Sequence, residues 1–192
     1  MNTPSESLDQ AKDMGPNNRR RRVLVAGSAL SVLASLKSGS ALAEGVCASP
    51  SSFTSITLNP ATSHRPRQLP TCHSHGYWKN RYTGDMTLSQ AGFCCSGSSQ
   101  LAALNITCDS KLKDILWLGG GGGSGAFARD LVSAYLDASN GFAQDQFTTA
   151  DVQKMWGLVF CGQAYVVNGT AWNQVTVRGF LDVLVGNVEN WP

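Results

Sequence analysis

Six cysteines lie between residues 47 and 161, and two of them are neighbours in the sequence. An even number of cysteines indicates a disulfide framework when the chain reaches an oxidising compartment. A bond between Cys94 and Cys95 would strain the disulfide geometry, so we expect these two residues to pair with different partners. The other pairings stay open. We expect all six residues to be oxidised: Cys47, Cys72, Cys94, Cys95, Cys108 and Cys161.

The first 43 residues predict that the chain is exported. Arginines at 19–22 precede an apolar run from residue 23 to about residue 36, and Ala-Leu-Ala at 41–43 has the small-x-small pattern of a signal peptidase site. Residues 20–24, RRRVL, are similar to a twin-arginine export signal. An ordinary secretory signal with additional arginines is the alternative. Either signal would be cleaved before Glu44 and would place the protein in the periplasm, at the cell surface or outside the cell.

The charge distribution argues against nucleic-acid binding, and the short apolar run argues against a transmembrane anchor. After residue 43, nine Lys and Arg residues stand against ten Asp and Glu residues, and the cations are scattered. This distribution argues against nucleic-acid binding, which requires a basic patch. The apolar run of the leader is shorter than the roughly 20 residues that span a bilayer, so we expect no transmembrane anchor after cleavage.

Proline divides the chain after the predicted cleavage site. Four prolines fall within residues 44–70, which are also rich in serine and threonine and contain one aromatic residue. This composition is typical of an extended arm or linker. Residues 71–192 contain no proline before the last residue and hold all five tryptophans, so we expect them to form the folded domain.

Apolar periodicity predicts helices in the second half of the chain. Apolar residues recur at helical spacing over 127–138, and the polar residues of this segment are expected to face away from the core. The polar residues of 127–138 are Arg129, Asp130, Ser133 and Asp137. Further helices are predicted over 148–160, about 173–187 and 110–118.

Local signals mark a helix start and a hairpin. Thr148 and Asp151 form the sequence pattern of a capping box, and Asn168-Gly169 is typical of a tight β-hairpin. Residues 82–105 are rich in glycine and serine and are expected to be mainly a disulfide-held loop. The predicted fold class is mainly α: a disulfide-stapled helical domain with a Gly/Ser-rich loop region and one short β-hairpin.

Two segments invite a ligand-binding interpretation. The glycines at 119–123 are reminiscent of a phosphate-binding loop, but no Lys-Ser/Thr pair follows them, so we expect a flexible hinge before the next helix. Residues 72–75, Cys-His-Ser-His, are the densest group of metal-type ligands. A metal site needs three or four ligands. If Cys72 is in a disulfide, only two histidines of this group remain as ligands, so we expect no bound cofactor. A metal site using His73 and His75 is an alternative.

Catalytic motifs are scarce. After residue 43 the only glutamates are Glu44 and Glu189, near the two ends, and neither G-x-S-x-G nor H-E-x-x-H occurs. Oxidised cysteines cannot act as nucleophiles. The sequence therefore assigns no catalytic residue.

One short motif resembles a known family. Tyr77, Trp78, Lys79 and Asn80 follow a glycine in the segment GYWKN, which is similar to a G-Y-W-K-N-H-P motif of exported or surface-associated bacterial domains of unknown function. Residues 127–138 are similar to a helix of those domains. This chain has Arg81 where the family has histidine. The resemblance implies an extracytoplasmic domain and no established reaction.

Two interpretations of this motif stay open. Tyr77 and Trp78 are most simply core aromatics, with Lys79 and Asn80 at a turn, and the alternative is an exposed aromatic pair that stacks on sugar rings. We expect an exported, non-enzymatic domain that binds a protein or polysaccharide partner at the cell envelope. The alternatives are an envelope-acting hydrolase or carbohydrate-binding protein, and a metal-binding protein.

Overall fold

The computed structural model describes residues 44–58, 69–93, 97–119 and 122–187. The predicted export signal and the residues Cys94 and Cys95 lie outside the described residues. The described elements follow one another in this order: β1 (Glu44–Val46), α1 (Pro50–Leu58), β2 (Thr71–His73), α2 (His75–Arg81), α3 (Ser99–Ala103), α4 (Leu112–Leu116), α5 (Gly123–Ser139), α6 (Thr149–Cys161), β3 (Val166–Val167), β4 (Thr170–Ala171) and α7 (Gln174–Leu184).

The long helix α5 forms the centre of the domain. Every residue from 128 to 137 is buried, and α5 packs against α2, α4, α6 and α7. A helix that is buried all round is normally apolar all round. This helix instead carries polar residues among the buried ones, Arg129, Asp130, Ser133 and Asp137. The prediction that they face away from the core is therefore wrong, because helices and strands cover both sides of α5.

The predicted start of α6 is confirmed. The Thr148 hydroxyl accepts a hydrogen bond from the Asp151 N–H, and the Asp151 carboxylate accepts one from the Thr148 N–H. The helix ends where Gly162 adopts a left-handed conformation, with φ of 67°. Its apolar stripe packs into the core through Val152, Met155, Trp156 and Val159.

The hairpin and the last helix also follow local signals. Asn168 and Gly169 both have positive φ, as a two-residue turn with the twist of the strands requires, and β3 pairs antiparallel with β4. The Asn173 side chain accepts a hydrogen bond from the Thr176 N–H at 2.9 Å and caps α7. The predicted mainly α fold with one such hairpin is confirmed.

The described part of the expected arm belongs to the folded domain. β1 pairs antiparallel with β2, with Gly45 opposite Cys72. A Cβ atom on Gly45 would lie 2.1 Å from the carbonyl oxygen of Leu184, so only glycine fits where β1 meets the end of α7. Residues 44–58 are therefore not a separate linker, which corrects the expectation from their composition.

Helix α1 packs deep in the core. The Phe53 ring meets the rings of Trp172 and Phe180 edge-on, with centroids 5.7 and 5.5 Å away. The Trp172 indole N–H donates to the Thr54 hydroxyl at 3.0 Å. Pro50 is the first residue of α1, a position that needs no N–H donor. The serine- and threonine-rich composition does not indicate this helix, whose few core residues make specific contacts with Trp172 and Phe180.

The Gly/Ser-rich region also contains a helix. Residues 82–105 were expected to be mainly loop, but α3 spans Ser99–Ala103. The Ser98 hydroxyl accepts a hydrogen bond from the Leu101 N–H and caps it. The other described residues of this region form turns and loops, apart from Thr87, which makes an isolated β-bridge with Lys111.

A buried disulfide joins Cys47 to Cys72. Neither side chain is exposed, and the bond connects the β1–α1 segment to β2. Cys108 and Cys161 are also disulfide-bonded. The prediction that Cys94 and Cys95 have different partners stays a prediction. None of the described helices is both long enough and apolar enough to cross a membrane.

Removing the Cys47–Cys72 bond should destabilise the domain. We expect the double substitution Cys47→Ala and Cys72→Ala to lower the free energy of unfolding by about 2–4 kcal/mol, because the bond restricts the unfolded chain. Urea unfolding of the oxidised proteins measures this difference. A loss below about 1 kcal/mol would contradict a stabilising role for this bond.

Candidate functional site

Among the residues that the structure describes, the densest group of buried polar side chains lies between β2 and α5. His73 is the last residue of β2 and His75 the first residue of α2, and both face α5. Asp130 and Asp137 are seven residues apart on α5, which places them on the same face of the helix. Each histidine meets one of these aspartates.

The Asp137 carboxylate accepts several hydrogen bonds in the core. The His73 backbone N–H donates to Oδ2 at 2.8 Å, the His73 Nδ1 lies 3.0 Å from Oδ1, and the Trp78 indole N–H donates to Oδ1 at 3.1 Å. Burial raises the pKa of Asp137 to about 6, although its contacts with His73 and Trp78 lower it. The carboxylate thus links the end of β2 and the first turn of α2 to the central helix.

A second hydrogen bond fixes β2 on α5. The Ser133 hydroxyl donates to the His73 carbonyl at 2.7 Å, so both backbone groups of His73 are bonded to α5 side chains. The His73 ring is stacked on Tyr77 with centroids 3.8 Å apart, and it meets Phe142 edge-on at 4.5 Å. Backbone and side chain of His73 therefore both fix the position of the strand.

The pair formed by His75 and Asp130 is more exposed to solvent, and its aspartate also binds an arginine. The His75 Nδ1 lies 3.1 Å from Asp130 Oδ1, and the Arg178 guanidinium of α7 donates to Asp130 Oδ2 at 2.8 Å. Arg178 also pairs with Asp182 one turn further along α7. The Asp130 side chain is 5% exposed and that of His75 33% exposed. The buried charge of Asp130 is compensated by Arg178, as a buried carboxylate requires.

The two pairs differ in the chemistry that they permit. A carboxylate at Nδ1 orients an imidazole so that its other nitrogen can exchange a proton. His75 has this arrangement and is reachable from solvent, whereas the pair formed by His73 and Asp137 is enclosed by aromatic rings. Any proton transfer to a ligand at this site would therefore involve His75.

The histidines do not assemble a metal site in the described part of the chain. No group of three or more His, Cys, Asp or Glu side chains there is arranged to hold a metal ion. His73 and His75 face separate aspartates, and Cys72 is in a disulfide. A protein metal site needs more ligands than either pair supplies.

The residues of the GYWKN motif occupy different environments. Trp78 is 6% exposed, and its indole N–H is bonded to Asp137, so Trp78 is a core residue and cannot stack on a sugar. This corrects the alternative of an exposed Tyr77–Trp78 pair. Tyr77 is half-buried between the His73 ring and the Arg81 guanidinium. Asn80 donates to the Gly76 carbonyl within α2.

Lys79 contacts an aromatic residue that the sequence did not single out. Its ammonium nitrogen lies 3.8 Å from the ring centroid of Trp117, at the end of α4. The sequence also missed Asp130, Asp137 and Arg178 as site residues. The spacing of Asp130, Ser133 and Asp137 at i, i+3 and i+7 was a usable signal, because it marks a polar stripe on one helical face.

Comparisons with protein-family models, with curated proteins and with solved structures find no match to this chain. The resemblance to domains with a G-Y-W-K-N-H-P motif therefore stays a prediction. The structure gives the motif a physical role in this chain, because its tyrosine and tryptophan pack around His73 and Asp137.

Asp137 should be the most sensitive residue of this cluster. We expect Asp137→Ala to lower the free energy of unfolding by about 3–5 kcal/mol, because it leaves buried donors of His73 and Trp78 without an acceptor. Denaturant unfolding measures the change, with Asp137→Asn as a milder variant that keeps one acceptor.

The matched control is Asp109→Ala, at an exposed turn residue, which should change the stability by no more than about 0.5 kcal/mol. An equal effect of the two alanine substitutions would contradict the role assigned to Asp137.

Proposed function

We propose that the protein is an exported, non-enzymatic domain that acts in interactions at the cell envelope or outside the cell. The observation that carries the proposal is the buried disulfide between Cys47 and Cys72, together with the oxidised state of Cys108 and Cys161. Such bonds persist in oxidising compartments and are rare in the cytoplasm. A periplasmic, surface-bound or secreted location follows from the same reasoning.

The internal bonds of the polar cluster support a binding domain over an enzyme. Asp137 and Ser133 bond the backbone of His73, and Asp130 is neutralised by Arg178. These contacts hold β2, α2 and α7 on α5. A hydrolase, the alternative, would depend on the His75–Asp130 pair as its proton acceptor. In an interaction domain the same pair stabilises the packing of α2 and α7.

Replacing the arginine pair tests the export part of the proposal. We expect Arg20→Lys with Arg21→Lys to leave uncleaved precursor in the cytoplasm, because the twin-arginine pattern is read by a receptor. Fractionation and immunoblotting measure the distribution. Arg19→Lys, which lies outside the pattern, is the matched control and should be exported normally.

Normal export of the double variant would remove the twin-arginine assignment. Wild-type protein that stays in the cytoplasm with reduced Cys47 and Cys72 would overturn the proposed function itself.

A further inference from the structure

Trp117 is the exception among the described tryptophans. Its side chain is 61% exposed, whereas Trp78, Trp156 and Trp172 are at most 6% exposed. It follows α4, whose Leu112, Ile115 and Leu116 are buried, so the helix is anchored while the indole lies on the surface. An exposed indole at an anchored helix end forgoes the burial that stabilises the other three rings.

Lys79 holds the Trp117 ring in a defined position. Its ammonium nitrogen lies 3.8 Å from the ring centroid, which is the geometry of a cation–π contact. Lys79 belongs to α2, which packs on both α4 and α5. Two packed helices therefore orient the ring, and an oriented ring loses less conformational entropy on binding a ligand.

The face around Trp117 is positively charged. Lys111 and Lys113 share the single carboxylate of Asp85, at 2.8 and 2.7 Å, and Lys79 forms no ion pair within the described residues. We define the α2–α4 face as Trp117 with Lys79, the charged residues at 111–114, and Asp85, which pairs with two of them. It carries three cations against two aspartates: Lys79, Lys111 and Lys113 against Asp85 and Asp114.

The charge of the other described residues is negative. They carry four Lys and Arg residues against six aspartates and Glu44. Asp114 and Lys113 lie three and four residues before Trp117 on the same helical face, and Lys79 lies over the ring, so two cations and one carboxylate adjoin it. An anionic ligand is therefore attracted to this face in preference to the others.

The surroundings of the ring indicate the class of ligand. A stable protein interface buries about 800 Å² on each partner around an apolar centre. The other exposed large apolar residues of the described chain are Leu58, Met86, Val166 and Val175, and of these only Met86 is bonded to α4, through its backbone. Charged groups, not apolar ones, therefore frame Trp117. A sugar ring fits this arrangement, because it presents an apolar C–H face to one aromatic ring and polar groups at its edge.

We propose that the α2–α4 face binds an acidic polysaccharide built from uronic acids. A pyranose ring stacks on the open face of Trp117, and Lys79 and Lys113 bind sugar carboxylates. The inference rests on the proposed function, since an exported domain is the kind that meets such polymers. It also moves the sugar-binding alternative from the buried Trp78 to an exposed tryptophan on the next packed helix.

Titration with oligogalacturonate tests the proposal, with a maltooligosaccharide of equal length as the neutral control. Calorimetry on the exported protein should show binding of the acidic oligomer that weakens with added salt, and much weaker binding of the neutral one. Trp117→Ala should weaken binding at least about tenfold, and Trp117→Phe should restore most of it. Lys79→Gln should weaken binding by about threefold, whereas Lys154→Gln, an exposed lysine of α6, should have no effect.

Melting curves of the variants should match the wild type, because Trp117 is exposed. Three results would overturn the proposal: no binding of oligogalacturonate, equal affinity for the neutral oligomer, or unchanged affinity in Trp117→Ala. None of them bears on export, which the arginine substitutions test separately, so a failure of this proposal can be told from a failure of the proposed function.

Discussion

The carboxylate of Asp137 is the contact on which the arrangement around α5 depends. It binds the backbone and ring of His73 and the indole of Trp78, and so holds β2 and α2 on the central helix. Cys72 precedes His73 in β2, so its disulfide to Cys47 also links the β1–α1 segment to the central helix. The close contact of Gly45 with Leu184 then joins β1 to α7. One buried charge thereby sets the position of elements from both ends of the described chain.

A buried carboxylate is costly, and its partners explain why the structure tolerates it. Removing an ion from water costs several kcal/mol unless hydrogen bonds or an opposite charge compensate. Asp137 is compensated mainly by N–H donors, and Asp130 mainly by Arg178 and His75. An apolar helix could pack equally tightly, but it would not fix the register of β2. We therefore attribute the polar stripe of α5 to structural specificity, which leaves binding to surface residues such as Trp117.

Determinants within a few residues of one another made part of the fold predictable. The capping box of Thr148 and Asp151 and the Asn168-Gly169 turn act over one to three residues, and both elements form as the sequence indicates. A local signal for α1 existed too, since Ser49 caps the helix and Pro50 occupies its first position. The expectation of an arm over residues 44–70 followed their proline-rich composition and did not take this capping signal into account. Composition averages over a segment, whereas a helix needs only its own cap and one apolar stripe.

The site depended on contacts that the sequence does not display. Asp137 and Asp130 meet histidines 64 and 55 residues away, so the sequence displays the polar stripe of α5 but not its burial. The inward position of Trp78 agrees with the simpler of the two interpretations of the motif. The exposure of Trp117 could not be anticipated, because its position follows from the packing of α2 and α4 on α5. Side chains that meet across the core require the tertiary structure.

Hydrogen exchange at the Asp137 contacts tests this account most directly. The His73 amide and the Trp78 indole N–H can be followed by NMR alongside the amides in the middle of α5. If Asp137 holds β2 and α2 on the core, both donors should exchange only through global unfolding, with the same free energy of opening as the α5 amides. If they exchange through a much smaller opening while α5 stays protected, the Asp137 cluster is a peripheral contact, and the domain is held together without it.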